Sequence, residues 1–178
     1  MIIRGLQTVA EERRLIVLDL GYSRDQASCA IVATDPPTRK ELTFGAAIEV
    51  TAGLLAEPVP SVLILEAVLS TYHRLDGNPD IRGPFENGRG WYYGPGVTTL
   101  AAAMRFIRQL TCRVNADHDL LLAEAFLSFK KVKSRHLDDA LTIHNKFWIT
   151  QPVPLHDSCE PILDIVVGLP SVRVFKNE

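Results

Sequence analysis

The chain has 178 residues and a nearly balanced charge, with 19 lysines and arginines against 21 aspartates and glutamates, which gives a formal net charge of −2. This length supports one domain with a single core, which we place over residues 1–178, with the core at 13–150 and a C-terminal extension at 151–178. The small net charge excludes binding of nucleic acid through bulk positive charge, so any nucleic-acid site has to be local.

The first part of the chain predicts an antiparallel meander of three short strands. Each strand is apolar or alternating, and they cover residues 15–20, 27–34 and 41–50. The turn formers Gly21-Tyr22-Ser23 and Asp35-Pro36-Pro37 separate them. Connections this short favour antiparallel neighbours.

A brief helix and a fourth strand follow. The stretch 51–57 predicts at most two helical turns, because Pro58 and Pro60 end it, and the apolar run at 62–67 predicts the strand. The next segment, 70–96, is too rich in glycine, proline and arginine to be a regular element. A loop of this length inside a compact domain is usually functional or disordered, and its aromatic content argues against disorder.

The second half of the chain alternates helices and a strand. The patterns predict a helix over Val97 to Leu110, a fifth strand over 119–127 and a helix over Ser134 to Trp148. Two short apolar stretches, 162–167 and 172–175, predict a closing hairpin. The order β-β-β-α-β-α-β-α indicates an α/β fold with a mixed five-stranded sheet flanked by helices.

Cysteine usage and the first residues of the chain predict a cytoplasmic protein. Cys29, Cys112 and Cys159 are odd in number and form no CxxC pair, so they indicate neither a disulfide framework nor a zinc ribbon. The first residues carry acids where a signal peptide has its apolar core, and no apolar run approaches the ~20 residues that cross a bilayer.

Two of the apolar strands end in a carboxylate, Asp19 on the first and Glu66 on the fourth. In a β-β-β-α-β sheet these strands commonly lie side by side and parallel, about 4.8 Å apart. Two carboxylates that close repel each other unless a cation lies between them. Magnesium or manganese fits this requirement, because both ions prefer oxygen ligands.

The last helix supplies further candidate ligands. On a helical wheel, Leu137, Ala140, Ile143 and their neighbours form one apolar arc that also contains His136. Asp139 lies about 60° from His136, at the edge of this arc, whereas Asp138 points roughly opposite. The wheel therefore favours Asp139 over Asp138, although a helix rotated about its axis would reverse the choice.

These residues resemble a known superfamily. LDLGYSRDQASCAIV is similar to the first hairpin of the RNase H-like superfamily, and the acid that ends the fourth strand together with His136-Leu137-Asp138-Asp139-Ala140 resembles the RuvC-type resolvase pattern. A related family of predicted nucleases also has a segment like EAFLSFK before a similar helix. The resemblance covers residues 13–148.

The resemblance implies a metal-dependent nuclease. Asp19, Glu66, His136 and Asp139 would be the catalytic residues and would hold one or two magnesium or manganese ions, which promote hydrolysis of a phosphodiester. Histidine departs from the all-carboxylate version of the motif, and since neutral imidazole suits magnesium poorly, His136 would instead take part in proton transfer. Nucleic acid is the implied substrate, with DNA favoured over RNA, and the resolvases imply a homodimer.

Two groups of residues are candidate substrate contacts. Basic side chains lead into the last helix, where they suit phosphate, and the 70–96 loop combines arginines with an aromatic that suits stacked bases. The first group is Lys130, Lys131, Lys133 and Arg135, and the second is Arg74, Arg82, Arg89 and Trp91. Solvated surface charge and a structural flap are the alternatives for these two groups.

Structural roles remain open for the acids as well. Asp19 is able to close a turn with Gly21, and Glu66 to cap the following loop. Glu124 is expected to be structural, and His144 to lie in the core. A non-catalytic RNase H-like binding or assembly module is the alternative function. The first hairpin also resembles that of the actin-like sugar kinases and chaperone ATPases, which need a second domain that 178 residues cannot hold.

Overall fold

The computed structural model describes residues 2–4, 13–21, 23, 25–67, 69–73, 95–115, 117–128, 134–147, 160–164 and 172–176. The strands in these ranges are β1 (Ile2–Arg4), β2 (Arg14–Asp19), β3 (Cys29–Ala33), β4 (Thr38–Leu42), β5 (Ser61–Glu66), β6 (Ser70–His73), β7 (Asp119–Ser128), β8 (Glu160–Asp164) and β9 (Val172–Lys176). The helices are α1 (Phe44–Leu54), α2 (Pro95–Thr111) and α3 (His136–Lys146).

The main sheet has seven strands, and five of them form a mixed central part in the order β4-β3-β2-β5-β7. β2, β3 and β4 are antiparallel neighbours, and β5 then pairs in parallel with both β2 and β7. β1 and β9 each pair in parallel with β7 on the outer side of this sheet, while β6 and β8 form a separate antiparallel pair. The predicted α/β class and the predicted mixed five-stranded sheet are confirmed.

Helices cover both faces of the sheet. On one face, α1 and α2 pack on alternate residues of β2, Ile16 and Leu18, and on Leu20 just after the strand. On the other face, α3 packs on the intervening residues, Leu15 and Val17, through Ala140, Ile143 and Phe147. This division follows from the two-residue period of a strand, since successive side chains point to opposite faces.

The prediction of a strand over 41–50 and of a brief helix over 51–57 is wrong. β4, which corresponds to the predicted third strand, ends at Leu42, and the 11-residue helix α1 begins at Phe44. The Thr43 hydroxyl caps this helix by accepting from the Ala46 amide at 3.4 Å. The helix buries Ala47, Ile48, Thr51 and Leu54. Their spacing of one, three and three residues is helical, and a threonine cap precedes it, so the helical period accounts for this apolar run better than β propensity does.

The ends of the predicted loop and tail also differ from expectation. Residues 70–73, predicted as the start of an irregular loop, form β6. The predicted closing hairpin is wrong, because β8 pairs with β6 whereas β9 pairs with β7 in the main sheet. The helices predicted over 97–110 and 134–148 and the strand predicted over 119–127 are confirmed within two residues at each end. No helix among the described residues has the length and apolar character needed to cross a membrane.

Candidate metal centre

Two parallel strands place Asp19 and Glu66 side by side. β2 is buried along its whole length, which drives it into the middle of the sheet, and β5 is buried up to its last residue. The two strands pair in register, so that Asp19 is the direct partner of Glu66. Both acids follow the alternation of Leu15 and Val17 and therefore lie on the face that α3 covers.

Helix α3 brings a third acid to the same place. Ala140, Ile143 and Phe147 hold the helix against the sheet, and Asp139 lies on this buried side with an exposed fraction of only 4 %. Asp139 is in the first turn, where the positive end of the helix dipole favours a carboxylate. The choice of Asp139 over Asp138 agrees with the helical wheel.

Asp19, Glu66 and Asp139 each offer a carboxylate oxygen within 4.8 Å of the other two. Asp19 is also only 4 % exposed, and Glu66 is partly buried. Three carboxylates gathered out of water repel one another, and a divalent cation removes this repulsion. Because all three donors are oxygens, the group fits a hard ion such as Mg²⁺ or Mn²⁺ better than a soft one.

Two polar side chains at the start of α3 hold these acids. His136 Nδ1 lies 2.9 Å from Asp19 Oδ1, and the His136 side chain is 46 % exposed, so it stands at the rim of the group. The Ser134 hydroxyl donates to Asp139 Oδ1 at 2.6 Å. His136 thus contacts Asp19, but it is not one of the three residues whose ligand atoms lie within 4.8 Å of one another. Sequence reasoning gave Ser134 no role in the site, and no capping signal marks it, because the N-cap residue of α3 is Arg135 and makes no side-chain cap bond.

Asp138 and Arg135 form a separate pair on the exposed side of α3. Arg135 donates from Nε and Nη2 to the two Asp138 oxygens, both at 3.0 Å. This hydrogen-bonded contact lowers the pKa of Asp138 and raises the pKa of Arg135. Arg135, a candidate phosphate contact, already has a carboxylate partner in this structure.

Glu124 lies on the other face of the sheet. It follows the alternation of Leu120 and Leu122, which pack with α1 and α2. Its buried carboxylate accepts from the Leu69 backbone amide at 2.6 Å. Leu69 is three residues beyond Glu66, so Glu124 fixes the chain where it leaves β5, in agreement with a structural role.

Gly21 sets the path of the chain just after Asp19. A Cβ atom at this position would lie 1.7 Å from the backbone oxygen of Ser28, so only glycine fits there. Cys29 Sγ packs 3.4 Å from the Gly21 carbonyl, and burial raises the pKa of this thiol to about 11. Cys29 is therefore a packing residue and is not activated for chemistry.

The remaining candidate residues divide into two sets. His144, expected in the core, is only half-buried and contacts Asn145. The other candidates lie outside the described residues, and they are Arg74, Arg82, Arg89, Trp91, Lys130, Lys131 and Lys133.

No protein-family model, no curated protein and no solved structure matches this chain. The observations that bear on its function are the order of strands in the sheet and the group of carboxylates formed by Asp19, Glu66 and Asp139.

Proposed function

We propose that this protein is a metal-dependent nuclease of RNase H-like fold, which hydrolyses phosphodiester bonds through Mg²⁺ or Mn²⁺ held by Asp19, Glu66 and Asp139. One observation carries the proposal. Three carboxylates from three separate elements converge to within 4.8 Å at the end of two buried parallel strands. Folding gathers like charges in this way at a cost, which binding of a cation offsets.

The strand order supports the RNase H-like part of the proposal. Three antiparallel strands followed by two parallel ones, connected through helices on both faces, is the arrangement that the resemblance implies. Asp19, Glu66 and Asp139 also occupy the first strand, the fourth strand and the last helix of this arrangement, as the motif requires. Fold alone does not give function, so the argument for catalysis depends on the acids.

The chain's own groups have distinct roles in this reaction. The three carboxylates supply the negative charge that retains the cation, and the Ser134 hydroxyl holds one of them in position. The cation, when bound, acts as a Lewis acid toward water and neutralises charge on the phosphodiester. His136 uses Nδ1 to contact Asp19, which leaves its Nε2 at the exposed rim to accept or donate a proton.

The proposed partner is nucleic acid, with DNA favoured over RNA, and a homodimer is part of the same proposal. Among the candidate substrate contacts, Arg135 is the one that the structure describes. It is exposed at the start of α3, next in sequence to His136. A phosphate that approaches this helix terminus would meet both the guanidinium and the helix dipole.

The test is cleavage of labelled single-stranded DNA, duplex DNA, a four-way junction and RNA with Mn²⁺ or Mg²⁺. The chain offers a matched pair of variants, because Asp139 is buried in the group and its neighbour Asp138 is exposed. We expect Asp139→Asn to lose at least about 100-fold in rate, as removal of a group that stabilises the transition state does, whereas Asp138→Asn stays within about threefold. Asp19→Asn should behave like Asp139→Asn.

Two results would contradict this proposal. The first is cleavage that survives both Asp19→Asn and Asp139→Asn, which would place the activity elsewhere or in a contaminant. The second is no cleavage of any substrate together with no Mn²⁺ binding by calorimetry. That second result would favour the non-catalytic binding or assembly module.

A further inference from the structure

A cavity of about 550 Å³ lies between α1 and α2, on the face of the sheet opposite to the acidic group. Its size falls within the roughly 300–1,000 Å³ that is typical of small-molecule sites. One wall is formed by Arg105 and Gln109, which are four residues apart and share a face of α2, and by Arg113 in the turn that follows the helix. The metal group uses none of these residues.

The side chain of Arg113 is held in place by several contacts. Its Nε donates to Glu49 Oε1 at 3.2 Å, and its Nη1 donates to the Gln109 backbone oxygen at 2.9 Å and to Gln109 Oε1 at 3.0 Å. Because the side-chain oxygen Oε1 of Gln109 accepts from Arg113, the side-chain NH₂ group of Gln109 is oriented as a donor toward other partners. Glu49 of α1 also lines the cavity, and Arg113 balances its charge from the other side.

Arg105 adds an unbalanced positive charge to the same wall. It is exposed, and among the described residues no carboxylate pairs with it. With Glu49 and Arg113 balancing each other, the described residues that line the cavity carry an excess of one positive charge and several N–H donors. A ligand that satisfies these groups is an anion with further hydrogen-bond acceptors.

The wall formed by α1 has an apolar part beside Glu49. Phe44 and Ile48 of α1 line it, and Phe44 is fixed by a T-shaped contact with Phe106, with ring centroids 6.2 Å apart. A fixed aromatic side chain next to an arginine suits a planar ring that carries a phosphate, because bases stack on aromatic and guanidinium planes.

We propose that this cavity binds a nucleotide unit, with the phosphate at Arg105, the base against Phe44 and the donors of Gln109 and Arg113 facing base or sugar acceptors. Ser23 also lines the cavity and is four residues beyond Asp19, so part of the lining comes from the segment that follows the end of β2. The nucleotide is either free or part of a strand. In the second case the inference rests on the proposed function.

Binding is measured by calorimetry in EDTA, with adenosine 5′-monophosphate, adenosine and inorganic phosphate as probes and a single-stranded oligonucleotide in parallel. Two variants change the cavity, and each has a matched control. Arg105→Gln removes the unbalanced charge, and Arg108→Gln removes an exposed arginine of the same helix that does not line the cavity. Gly45→Leu fills the cavity, since a Cβ there meets nothing within 4 Å, and Gly53→Leu is the equally open control in the same helix.

We expect Arg105→Gln and Gly45→Leu each to weaken binding roughly tenfold, the effect of losing one charge-assisted hydrogen bond or its equivalent in contact area, and both controls to stay within about twofold. Binding of the monophosphate with this pattern supports a free nucleotide. Binding of the oligonucleotide alone, with the same pattern, supports a nucleotide within a strand.

Several results would overturn the inference. One is that adenosine or inorganic phosphate binds as tightly as the monophosphate. Another is that the cavity variants bind the probes as their control variants do. The third is that no probe binds. Because all titrations are done in EDTA, the cavity is tested independently of the metal group. Asp19→Asn should bind these probes like the wild type, so a failed cleavage assay and a failed binding assay are separate outcomes.

Discussion

β2 buries a positively charged side chain at its first residue and a negatively charged one at its last, and the groups that surround the two charges differ in sign. At the first residue, the Arg14 guanidinium is 2 % exposed and donates to the Leu54 carbonyl and to Glu57 Oε2, the latter at 2.5 Å. At the last residue, Asp19 is 4 % exposed and lies with two further acids. The buried arginine thus has a carboxylate of opposite charge as its partner, whereas the buried aspartate lies among carboxylates of the same charge.

This difference separates a structural charge from a chemical one. A buried charge that the chain itself neutralises contributes to folding, whereas a buried group of like charges is tolerated where an external ion completes it. Removal of Arg14 should therefore harm stability in the absence of metal, and removal of Asp19 or Asp139 should harm metal binding first.

Arg14→Ala should lower the free energy of unfolding by about 2–4 kcal/mol, because it removes charged hydrogen bonds and buried volume at one site. Urea denaturation in EDTA measures this change. Arg13→Ala is the control, because Arg13 forms a partly exposed ion pair with Asp119 at 2.8 Å and its loss should cost less than about 1 kcal/mol. Equal effects of the two variants would remove the structural role given to Arg14.

Addition of Mn²⁺ should raise the free energy of unfolding by about 2.7 kcal/mol when its free concentration is 100 times the dissociation constant. Asp139→Asn should gain almost nothing at the same concentration, because it lacks one of the three clustered carboxylates. Asp138→Asn should gain as much as the wild type. Thermal or urea denaturation with and without EDTA gives these values, and an equal gain in both variants would show that the metal binds elsewhere.

Gly21→Ala should destabilise the fold by roughly 1–3 kcal/mol and also weaken Mn²⁺ binding, because its Cβ collides with the Ser28 backbone and displaces the chain after Asp19. Gly45→Ala is the control, since it places a Cβ in open space within a helix and should stabilise by up to about 1 kcal/mol. Calorimetry and urea denaturation measure the two effects. Unchanged metal binding in folded Gly21→Ala would separate this loop from the metal group.

The smallest effect concerns His118, which is 7 % exposed near Arg14. Burial, followed by the charge of Arg14, lowers its pKa below the ordinary 6.5, and Asp119 opposes this shift. Between the folded pKa and about 6.5 the unfolded chain binds more protons, so stability rises with pH over this window and is level above it. His118→Gln should flatten this part of the curve, and an unchanged slope in EDTA would contradict the assignment.

Much of the fold could be predicted because it depends on local patterns. The apolar runs that contain Ile16, Ile64 and Leu122 are short and bounded by turn signals, and all three became central strands. The segment after Leu42 misled the prediction because apolar residues occur in it at both strand and helix spacing, and the cap at Thr43 decides between them.

The site was predictable where one helix or a common strand order determines it, as for Asp139 on α3 and for Asp19 beside Glu66. The wheel selects Asp139 because one helix decides which side is buried. The contacts of Glu124 with the Leu69 amide and of Gly21 with Ser28 depend on how separate segments pass one another, which no local pattern records. The burial of Arg14 is of the same kind, since its partners come from α1 and the turn that follows it.

The outer side of β7 is shared by segments from the two ends of the sequence. β1 pairs with residues 119–121 and β9 with residues 124–128, both in parallel, so together they act as one discontinuous border strand. An unpaired border of this kind is a template for joining another chain through backbone hydrogen bonds. β1 and β9 each cover a different stretch of this border, and because they have only three and five residues, the edge that they present in its place is short and interrupted, which disfavours edge-to-edge aggregation.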